Sequence, residues 1–299
     1  MDVYGCIEAG GTKFVCGVGT GPDDLATASF PTLSPEATVE SVAGFFKGTQ
    51  LKAVGIGSFG PVDLDRDSPT FGYITSTPKA GWRQFDLAGA VGRALGVPVG
   101  IDTDVNSAAV GESRWGAARG LSDFLYLTVG TGIGGGAMAN GAVVHGLTHP
   151  EMGHIRIPHD FSVDPYPGGC PFHGDCLEGL ASGPAIQARW GKPAQELPAD
   201  HPAWAIEARY IGLGLANWVC TLSPRRIIIG GGVFQQAQLF PLVRAELGRI
   251  LNGYVQARAL LDDVDSYVVP PGLGNRAGVL GALALAERIE PPMRADRRG

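Results

Sequence analysis

An apolar strand, a glycine turn and a second strand follow one another twice in this chain, and this repeated order constrains the fold more than any other feature. In the first copy, residues 3–8 (VYGCIE) and 13–19 (KFVCGVG) flank the turn AGGT at 9–12. In the second copy, the strand 123–129 (DFLYLTV) precedes the turn GTGIG at 130–134, and the following residues can return as a strand. Two such hairpins predict a duplicated architecture, in which each half of the chain opens in the same way.

Strands and helices alternate along the rest of the chain, which indicates an α/β protein. Further strands are predicted at 52–57, 97–101, 225–229 and 266–269. Helices are predicted at 35–47, 86–95, 102–118, 182–191, 202–222, 238–250 and 275–288, and the basic residues after them (PPMRADRRG) are expected to form a frayed tail. A length of 299 residues suggests about two domains.

Charge and composition exclude several classes of protein. The net charge of −6 argues against broad nucleic-acid binding, which needs a basic face. The chain has no run of about 18 apolar residues, so we expect no membrane span. Residues 1–20 lack the basic start and apolar core of a signal peptide, and five cysteines make an odd count. We therefore expect a cytoplasmic protein without disulfides.

Glycine turns directly after apolar strands are candidate phosphate sites, because backbone N–H groups bind phosphate oxygens and glycine permits a close approach. One such turn alone is more often a plain tight turn, but three favour a nucleotide site. The candidates are Gly10, Gly11, Thr12 and Lys13 in the first turn, Thr131, Gly132 and Gly134 in the second, and Gly230, Gly231 and Gly232 in the third. The second turn leads into a strand rather than a helix, which argues against a dinucleotide-binding fold, and no Walker A string occurs.

Two aspartates, Asp102 and Asp104, lie at the junction of a predicted strand and a predicted helix. A carboxylate at a helix N-terminus is stabilised in its ionised form and can accept a proton from a hydroxyl group. Helix capping is the alternative, and we expect one of the two aspartates to serve as the cap. Position alone favours neither interpretation of Asp104.

The long segment 141–181 contains five of the six histidines. Its residues His154, Cys170, His173 and Cys176 offer two thiolates and two imidazoles, which suit a tetrahedral structural zinc site. Scattered buried cysteines and surface histidines are the alternative. We expect Cys6, Cys16 and Cys220 to be small buried hydrophobic residues, and His145, His149, His159 and His201 to lie on the surface or in loops.

Glu151, His154 and Glu178 form a polar set around the same segment. Carboxylates and an imidazole that face one pocket suit hydrogen bonding to sugar hydroxyls. From spacing alone, solvated loop acids are the simpler interpretation.

Taken in order, these segments resemble the ROK family of sugar kinases (repressor, open reading frame, kinase), and within it the bacterial fructokinases. The matching strings cover nearly the whole chain. They are IEAGGTKF (7–14), GSFGPVDL (57–64), TSTPKAGW (75–82), DTDVNSAAVGE (102–112), LTVGTGIGGG (127–136), GLTHPEMGHIRIP (146–158), CPFHGDCLEGLASGPA (170–185), LSPRRIIIGGGV (222–233) and GLGNRAGVLGALALA (272–286).

The resemblance implies an actin-like ATPase fold, with two ribonuclease-H-like domains and a cleft between them. We expect an N-terminal domain at 1–118 and a C-terminal domain at 119–299, whose last helix can pack back on the first. The resemblance also implies ATP, Mg²⁺, a structural Zn²⁺ and a homodimer. It makes the first two turns phosphate loops and the third an adenosine motif. It makes Asp104 the catalytic base, with Asp104, Glu151, His154 and Glu178 in contact with the sugar. The zinc ligands would be His154, Cys170, His173 and Cys176.

Departures from the glucokinase pattern bear on the substrate. The family glucokinases carry Asp where this chain has Glu8, a cysteine where it has His173, and Asn where it has Thr103. The first two are features of the fructokinase branch and favour transfer of the γ-phosphate of ATP to the 6-hydroxyl of fructose. His154 would serve both the zinc and the sugar, so its two ring nitrogens would divide these contacts.

Two alternative functions stay open. One is a mannokinase or broad hexokinase of the same family. The other is a sugar-responsive repressor, which would carry a helix-turn-helix before the first strand. Here the first hairpin begins at about Val3, and Asp104 is present, so we expect an enzyme.

Overall fold

The computed structural model describes residues 2–289, which form two compact units. Unit 1 comprises residues 2–114 and 276–289, and unit 2 comprises Trp115–Asn275. The basic tail expected at 291–299 lies outside the described residues. Within 2–289, no helix combines the length and hydropathy that a bilayer crossing requires.

Unit 1 is an α/β unit. Its strands are β1 (Tyr4–Ala9), β2 (Lys13–Gly19), β3 (Ala26–Pro31), β4 (Val54–Ser58), β5 (Tyr73–Ile74), β6 (Phe85–Asp86) and β7 (Val99–Thr103). Its helices are α1 (Pro35–Phe46), α2 (Leu87–Leu95), α3 (Asp104–Trp115) and α10 (Ala277–Glu287).

The main sheet of unit 1 has the order β3-β2-β1-β4-β7. β1, β2 and β3 pair antiparallel, whereas β1, β4 and β7 pair parallel. All of β4 is buried, as expected for a strand covered on both faces. The parallel strands end at one edge of the sheet, so Ala9, Ser58 and Thr103 come together there.

Helix α10 packs closely against strands β1 and β4. It is apolar on all sides, which is typical of a buried helix. A Cβ on Gly55 of β4 would overlap the carbonyl of Ala282, and a Cβ on Gly281 would overlap that of Ser107. Glycine is therefore required where α10 meets β4 and α3.

Unit 2 repeats this plan. Its strands are β8 (Phe124–Val129), β9 (Ile133–Ala139), β10 (Ala142–Val143), β11 (Ile227–Gly230) and β12 (Val268–Val269). Its helices are α4 (Leu177–Ala181), α5 (Gly183–Trp190), α6 (Ala203–Leu222), α7 (Leu239–Leu251), α8 (Arg258–Leu261) and α9 (Val264–Tyr267). The sheet order is β10-β9-β8-β11-β12, again antiparallel on one side of the first strand and parallel on the other. The predicted α/β class and the duplication are confirmed.

Some local expectations were wrong. Cys220 is exposed rather than a buried hydrophobic residue, whereas Cys6 and Cys16 are buried as expected. His149 and His159 do lie in loops, but both side chains are almost fully buried. The buried ring of His159 has two polar partners, the carbonyl of Asp164 and the carboxylate of Asp175.

Candidate functional site

The first glycine turn joins β1 to β2 and is fixed at its base. Gly10 N donates to the carbonyl of Lys13 at 2.9 Å, and Thr32 Oγ1 donates to the carbonyl of Gly10 at 2.8 Å. The tip, Gly11, Thr12 and Lys13, is exposed. A Cβ placed on Gly11 would meet no protein atom within 4 Å. The turn therefore presents open backbone to a ligand from a rigid base.

Glu8, at the end of β1, is held against the start of α10. Its carboxylate accepts a hydrogen bond from the backbone N–H of Val279, and the lack of a Cβ on Gly278 leaves room for it. Burial raises the pKa of Glu8, and the charge of Lys13 partly opposes that shift. Glutamate in place of the aspartate of the glucokinase pattern thus carries its carboxylate to the N-terminus of a helix.

Asp104 is the half-buried first residue of α3, at the edge of the sheet where β7 ends. The residue that caps α3 is Thr103, whose Oγ1 accepts from the N–H of Asn106 at 3.1 Å. Asp102 accepts from Thr103 N at 2.8 Å and from Asn106 Nδ2 at 2.7 Å. The expectation that one of the two aspartates caps the helix was wrong. Because Thr103 caps the helix, Asp104 is not its N-cap; its Oδ1 accepts from the N–H of Val105 at 2.9 Å.

The second and third glycine segments lie side by side in unit 2. Gly130 N donates to the carbonyl of Gly132 at 2.9 Å, which closes the second turn between β8 and β9. Thr131 is exposed at its tip, and Gly134 pairs with Thr128 at the start of β9.

The third segment, 230–232, follows β11. Gly231 has φ +93°, and a Cβ there would overlap the backbone of Val129. A Cβ on Gly130 would lie 3.8 Å from Gly232 N. The structure therefore brings both segments to the ends of the neighbouring strands β8 and β11.

The four predicted metal ligands form one cluster. Their ligand atoms all lie within 4.8 Å of one another. His154 Nδ1 is 3.7 Å from Cys170 Sγ and 3.6 Å from Cys176 Sγ, and His173 Nδ1 is 3.7 Å from Cys170 Sγ. A tetrahedral zinc with ordinary bond lengths separates its sulfur and nitrogen ligands by about 3.5 Å. Two histidines and two cysteines at these distances fit zinc.

Burial raises the pKa of the Cys176 thiol to about 11. A bound cation would favour the thiolate form instead, because metal ligation requires a deprotonated sulfur. The loop that carries Cys170 and His173 is closed by hydrogen bonds in both directions between Cys170 and Gly174.

His154 presents its second ring nitrogen to Glu178. Its Nε2 lies 3.9 Å from Glu178 Oε1, on the side of the ring opposite to the two sulfur atoms. Glu151 lies one turn earlier, half exposed, and its Oε1 is 3.5 Å from Nδ1 of the buried His149. Glu178 and the second nitrogen of His154 thus lie together beside the cluster, and these groups and Glu151 all remain partly accessible to a polar ligand.

A buried polar network next to the cluster escaped the sequence analysis. Asp164 accepts from Tyr210 Oη at 2.7 Å and from Arg189 Nε at 3.0 Å. Burial raises the pKa of Asp164, but the hydrogen bonds from Tyr210 and Arg189 together outweigh it and hold the pKa below its usual value. His159 lies between Asp164 and Asp175. Nothing in the local sequence indicates this network, because its members are far apart in the chain: Asp164 and Tyr210 are separated by 46 residues.

Comparisons with known proteins agree with this arrangement. A curated protein of Bacillus subtilis (strain 168) is 50% identical over 287 residues, which are 96% of each chain. A fructokinase of Zymomonas mobilis subsp. mobilis is 45% identical over 96% of this chain and 97% of its own. Among solved structures, a ROK family glucokinase of Streptomyces griseus, in complex with glucose and AMPPNP, superposes with a TM-score of 0.74 at 30% identity. The superposition covers 96% of this chain and 100% of the glucokinase.

The strand orders of the two units and this superposition identify the fold as the actin-like fold of these kinases. The model of the ROK family matches residues 4–289, nearly the whole length. The chain therefore belongs to the ROK family.

Proposed function

We propose that this chain is an ATP-dependent fructokinase that phosphorylates the 6-hydroxyl of D-fructose. Identity favours fructose, because the chain is 45% identical to the fructokinase of Zymomonas and 30% identical to the glucokinase of Streptomyces griseus. The observation that carries the proposed chemistry is the position of Asp104. Its carboxylate begins α3, and Thr103 rather than Asp104 caps that helix.

Asp104 accepts the proton of the attacking hydroxyl in this proposal. The free N–H groups at the start of α3 stabilise the ionised carboxylate, which keeps it ready to act as a base. Asp102 accepts hydrogen bonds from the backbone N–H of Thr103 and from Asn106 Nδ2, which fixes the strand end that precedes the base.

The glycine turns bind the nucleotide. Gly10, Gly11, Thr12 and Lys13 offer backbone N–H groups, a hydroxyl and an ammonium to the phosphates, and Thr131, Gly132 and Gly134 form the second phosphate turn. Gly230, Gly231 and Gly232 accommodate the adenosine. Bound Mg²⁺ would neutralise phosphate charge during the transfer.

Glu151, His154 and Glu178 bind the sugar hydroxyls. Zn²⁺ held by His154, Cys170, His173 and Cys176 would have a structural role, because all four ligands come from the protein and leave no open position. In this proposal His154 uses Nδ1 for the metal and Nε2 for the sugar, and the distances of the two nitrogens to Cys176 and Glu178 support that division.

The alternative is a mannokinase or broad-specificity hexokinase of the same family, which would phosphorylate a different sugar or several sugars. We further propose a homodimer in the cytoplasm. The location is supported by the odd count of five cysteines, which argues against the disulfide framework of a secreted protein. The dimer rests on family resemblance.

Product identification tests the proposal. The purified protein with Mg²⁺, ATP and fructose should give ADP and fructose 6-phosphate, identified by ³¹P and ¹³C nuclear magnetic resonance. Fructose 1-phosphate as the product would contradict the assigned position of transfer. Formation of ADP at the same rate without sugar would contradict the kinase itself.

A further inference from the structure

Glu178 touches two parts of the proposed site at once. One carboxylate oxygen, Oε2, accepts a hydrogen bond from the backbone N–H of Ile133 at 2.9 Å. The other, Oε1, lies 3.9 Å from His154 Nε2 in the pocket proposed for the sugar. Ile133 is the residue at which the second glycine turn becomes β9. The side chain therefore connects the sugar pocket directly to the phosphate turn.

The second turn depends on the segment 178–183 at both of its ends. Glu178 holds it at Ile133, and Gly183 N donates to the carbonyl of Gly130 at 2.7 Å. The short helix α4 that presents Glu178 is anchored by Leu177 and Leu180, both fully buried. The conformation of the turn is thus held by a neighbouring element as well as by the turn's own hydrogen bond between Gly130 and Gly132.

Gly132 makes room for this contact. A Cβ on Gly132 would lie 2.6 Å from Glu178 Oε2, closer than such atoms approach in proteins, and the φ of Gly132 is outside the left-handed region. Alanine is therefore compatible with the backbone here but not with the present position of the carboxylate. This gives the glycine a role that does not require any contact with phosphate.

We propose that Glu178 is a positioning residue for the second phosphate turn, through which fructose and ATP favour each other's binding. A sugar hydroxyl on Oε1 would fix the carboxylate, and the fixed carboxylate would hold Ile133 and the turn in the conformation that binds phosphate. Coupling of this kind is reciprocal, so ATP strengthens fructose binding by the same factor. This inference rests on the proposed function.

Calorimetric titration measures the coupling without turnover. The dissociation constant of fructose is determined with and without saturating AMPPNP and Mg²⁺. We expect the ratio of the two constants in the wild-type protein to be about fivefold or more, the lower end of typical allosteric coupling. The ratio should fall to about one in Glu178→Ala and in Gly132→Ala, since both remove the same contact. In the double variant, Gly132→Ala should change the ratio little beyond the effect of Glu178→Ala alone.

Two further variants separate positioning from sugar binding. Glu178→Gln keeps an oxygen that can accept from Ile133 N, so AMPPNP alone should bind it as it binds the wild type. Glu178→Ala should bind AMPPNP alone severalfold more weakly. Gly248→Ala is the matched control within unit 2, because a Cβ at Gly248 meets no atom within 4 Å and the ratio should be unchanged.

A coupling ratio of one in the wild-type protein would overturn the inference. So would Glu178→Ala with weakened fructose binding, an unchanged ratio and unchanged AMPPNP affinity, since Glu178 would then be only a sugar contact. Neither result bears on the proposed function. That proposal is contradicted by a different result, namely that the wild-type protein does not phosphorylate fructose. Should Glu178→Ala fail to fold, Gly132→Ala and Glu178→Gln decide the question.

Discussion

Asp104 is the residue on which the proposed chemistry depends. Replacing it with asparagine keeps the size and most hydrogen-bonding capacity of the side chain but removes its basicity. We expect Asp104→Asn to lower kcat by about 10²–10⁴-fold, the usual contribution of a general base. Fructose and AMPPNP should still bind, which calorimetry can measure beside the steady-state rate.

The control for this variant is Asp67→Asn, at an exposed position in unit 1. It makes the same chemical change and should leave kcat unaltered. Retention of more than about a tenth of wild-type kcat by Asp104→Asn would contradict the role of base.

Glu207 is a second residue whose chemistry can be tested, although it has no part in the proposed reaction. It is 1% exposed on α6, and neither carboxylate oxygen has a hydrogen-bond partner among the described residues. Burial raises the pKa of Glu207 well above its usual value, and the charge of Arg189 opposes this only in part. The folded protein therefore favours the protonated, neutral acid.

The raised pKa of Glu207 makes stability depend on pH. Below about pH 4.3, the pKa of glutamate in an unfolded chain, both states carry the proton. Above that pH the unfolded chain releases its proton and the folded chain does not, so the free energy of unfolding falls until the folded pKa is passed. The side chain in Glu207→Gln has no proton to release. The free energy of unfolding of this variant should therefore fall less steeply as the pH rises.

Urea unfolding at several pH values between 4 and 8 measures this difference. The comparison is between the pH slopes, because a buried amide changes the absolute stability as well. Glu196→Gln, at an exposed position, should keep the wild-type slope. Equal slopes for Glu207→Gln and the wild type would show that the carboxyl is solvated in solution.

At the scale of elements, the hairpin β1–β2 provides a sharp test of nucleotide binding. A Cβ at position 11 would meet no protein atom within 4 Å, and the φ of Gly11 is outside the left-handed region, so Gly11→Val should fold normally. Its branched side chain would occupy the space that phosphate needs. We expect AMPPNP affinity to fall at least tenfold, measured by titration.

Gly21→Val is the control, since Gly21 lies beyond the other end of β2 and is equally open. It should bind AMPPNP as the wild type does. Unchanged affinity in Gly11→Val would make the first turn a plain structural turn.

The zinc-ligand cluster is the second element that can be tested. Metal analysis should find about one zinc per chain. Cys176 directly precedes α4, which carries Glu178, so Cys176→Ser should loosen the sugar pocket and raise the KM for fructose more than the KM for ATP. Chelation should have the same effect. Cys220→Ser, at an exposed cysteine, is the control. Metal-free protein with full fructose affinity would contradict the site.

Sequence periodicity was sufficient where an element is buried and bounded by glycine or a cap. β2 begins and ends as predicted, and α1 has its predicted cap, since Ser34 Oγ accepts from the N–H of Ala37. β3 was missed because it is a mostly exposed edge strand with polar residues and a terminal proline. The helix predicted to begin at 102 begins at Asp104, because Thr103 is the cap. Capping by threonine rather than aspartate is a choice of side-chain geometry that composition does not reveal.

On the scale of the whole molecule, the duplication explains where the glycine turns and Asp104 occur in the chain. In each sheet the first strand has an antiparallel neighbour on one side and a parallel neighbour on the other. A glycine turn follows the first strand of each unit, and Asp104 and Gly230 follow or end parallel strands. In open α/β sheets, ligands bind at the carboxyl ends of such strands.

Resemblance and spacing predicted that glycine turns follow β1, β8 and β11 and that His154, Cys170, His173 and Cys176 form one cluster, but not the contact between Glu178 and Ile133. The two residues are 45 positions apart, and the contact joins a side chain to a backbone N–H. Because almost every residue has a backbone N–H, the residue type at position 133 does not indicate such a contact. The network around Asp164 escaped prediction for the same reason. Long-range polar contacts require the folded backbone to be known.

The central claim is that the chain is a fructokinase, and the most direct measurement is the rate of ADP release with different hexoses. A coupled assay with ATP and Mg²⁺ gives kcat/KM for fructose, mannose and glucose under one set of conditions. The account predicts that fructose has the highest kcat/KM, by about tenfold or more, which corresponds to about 1.4 kcal/mol of transition-state stabilisation. An equal or higher kcat/KM for glucose or mannose would contradict it.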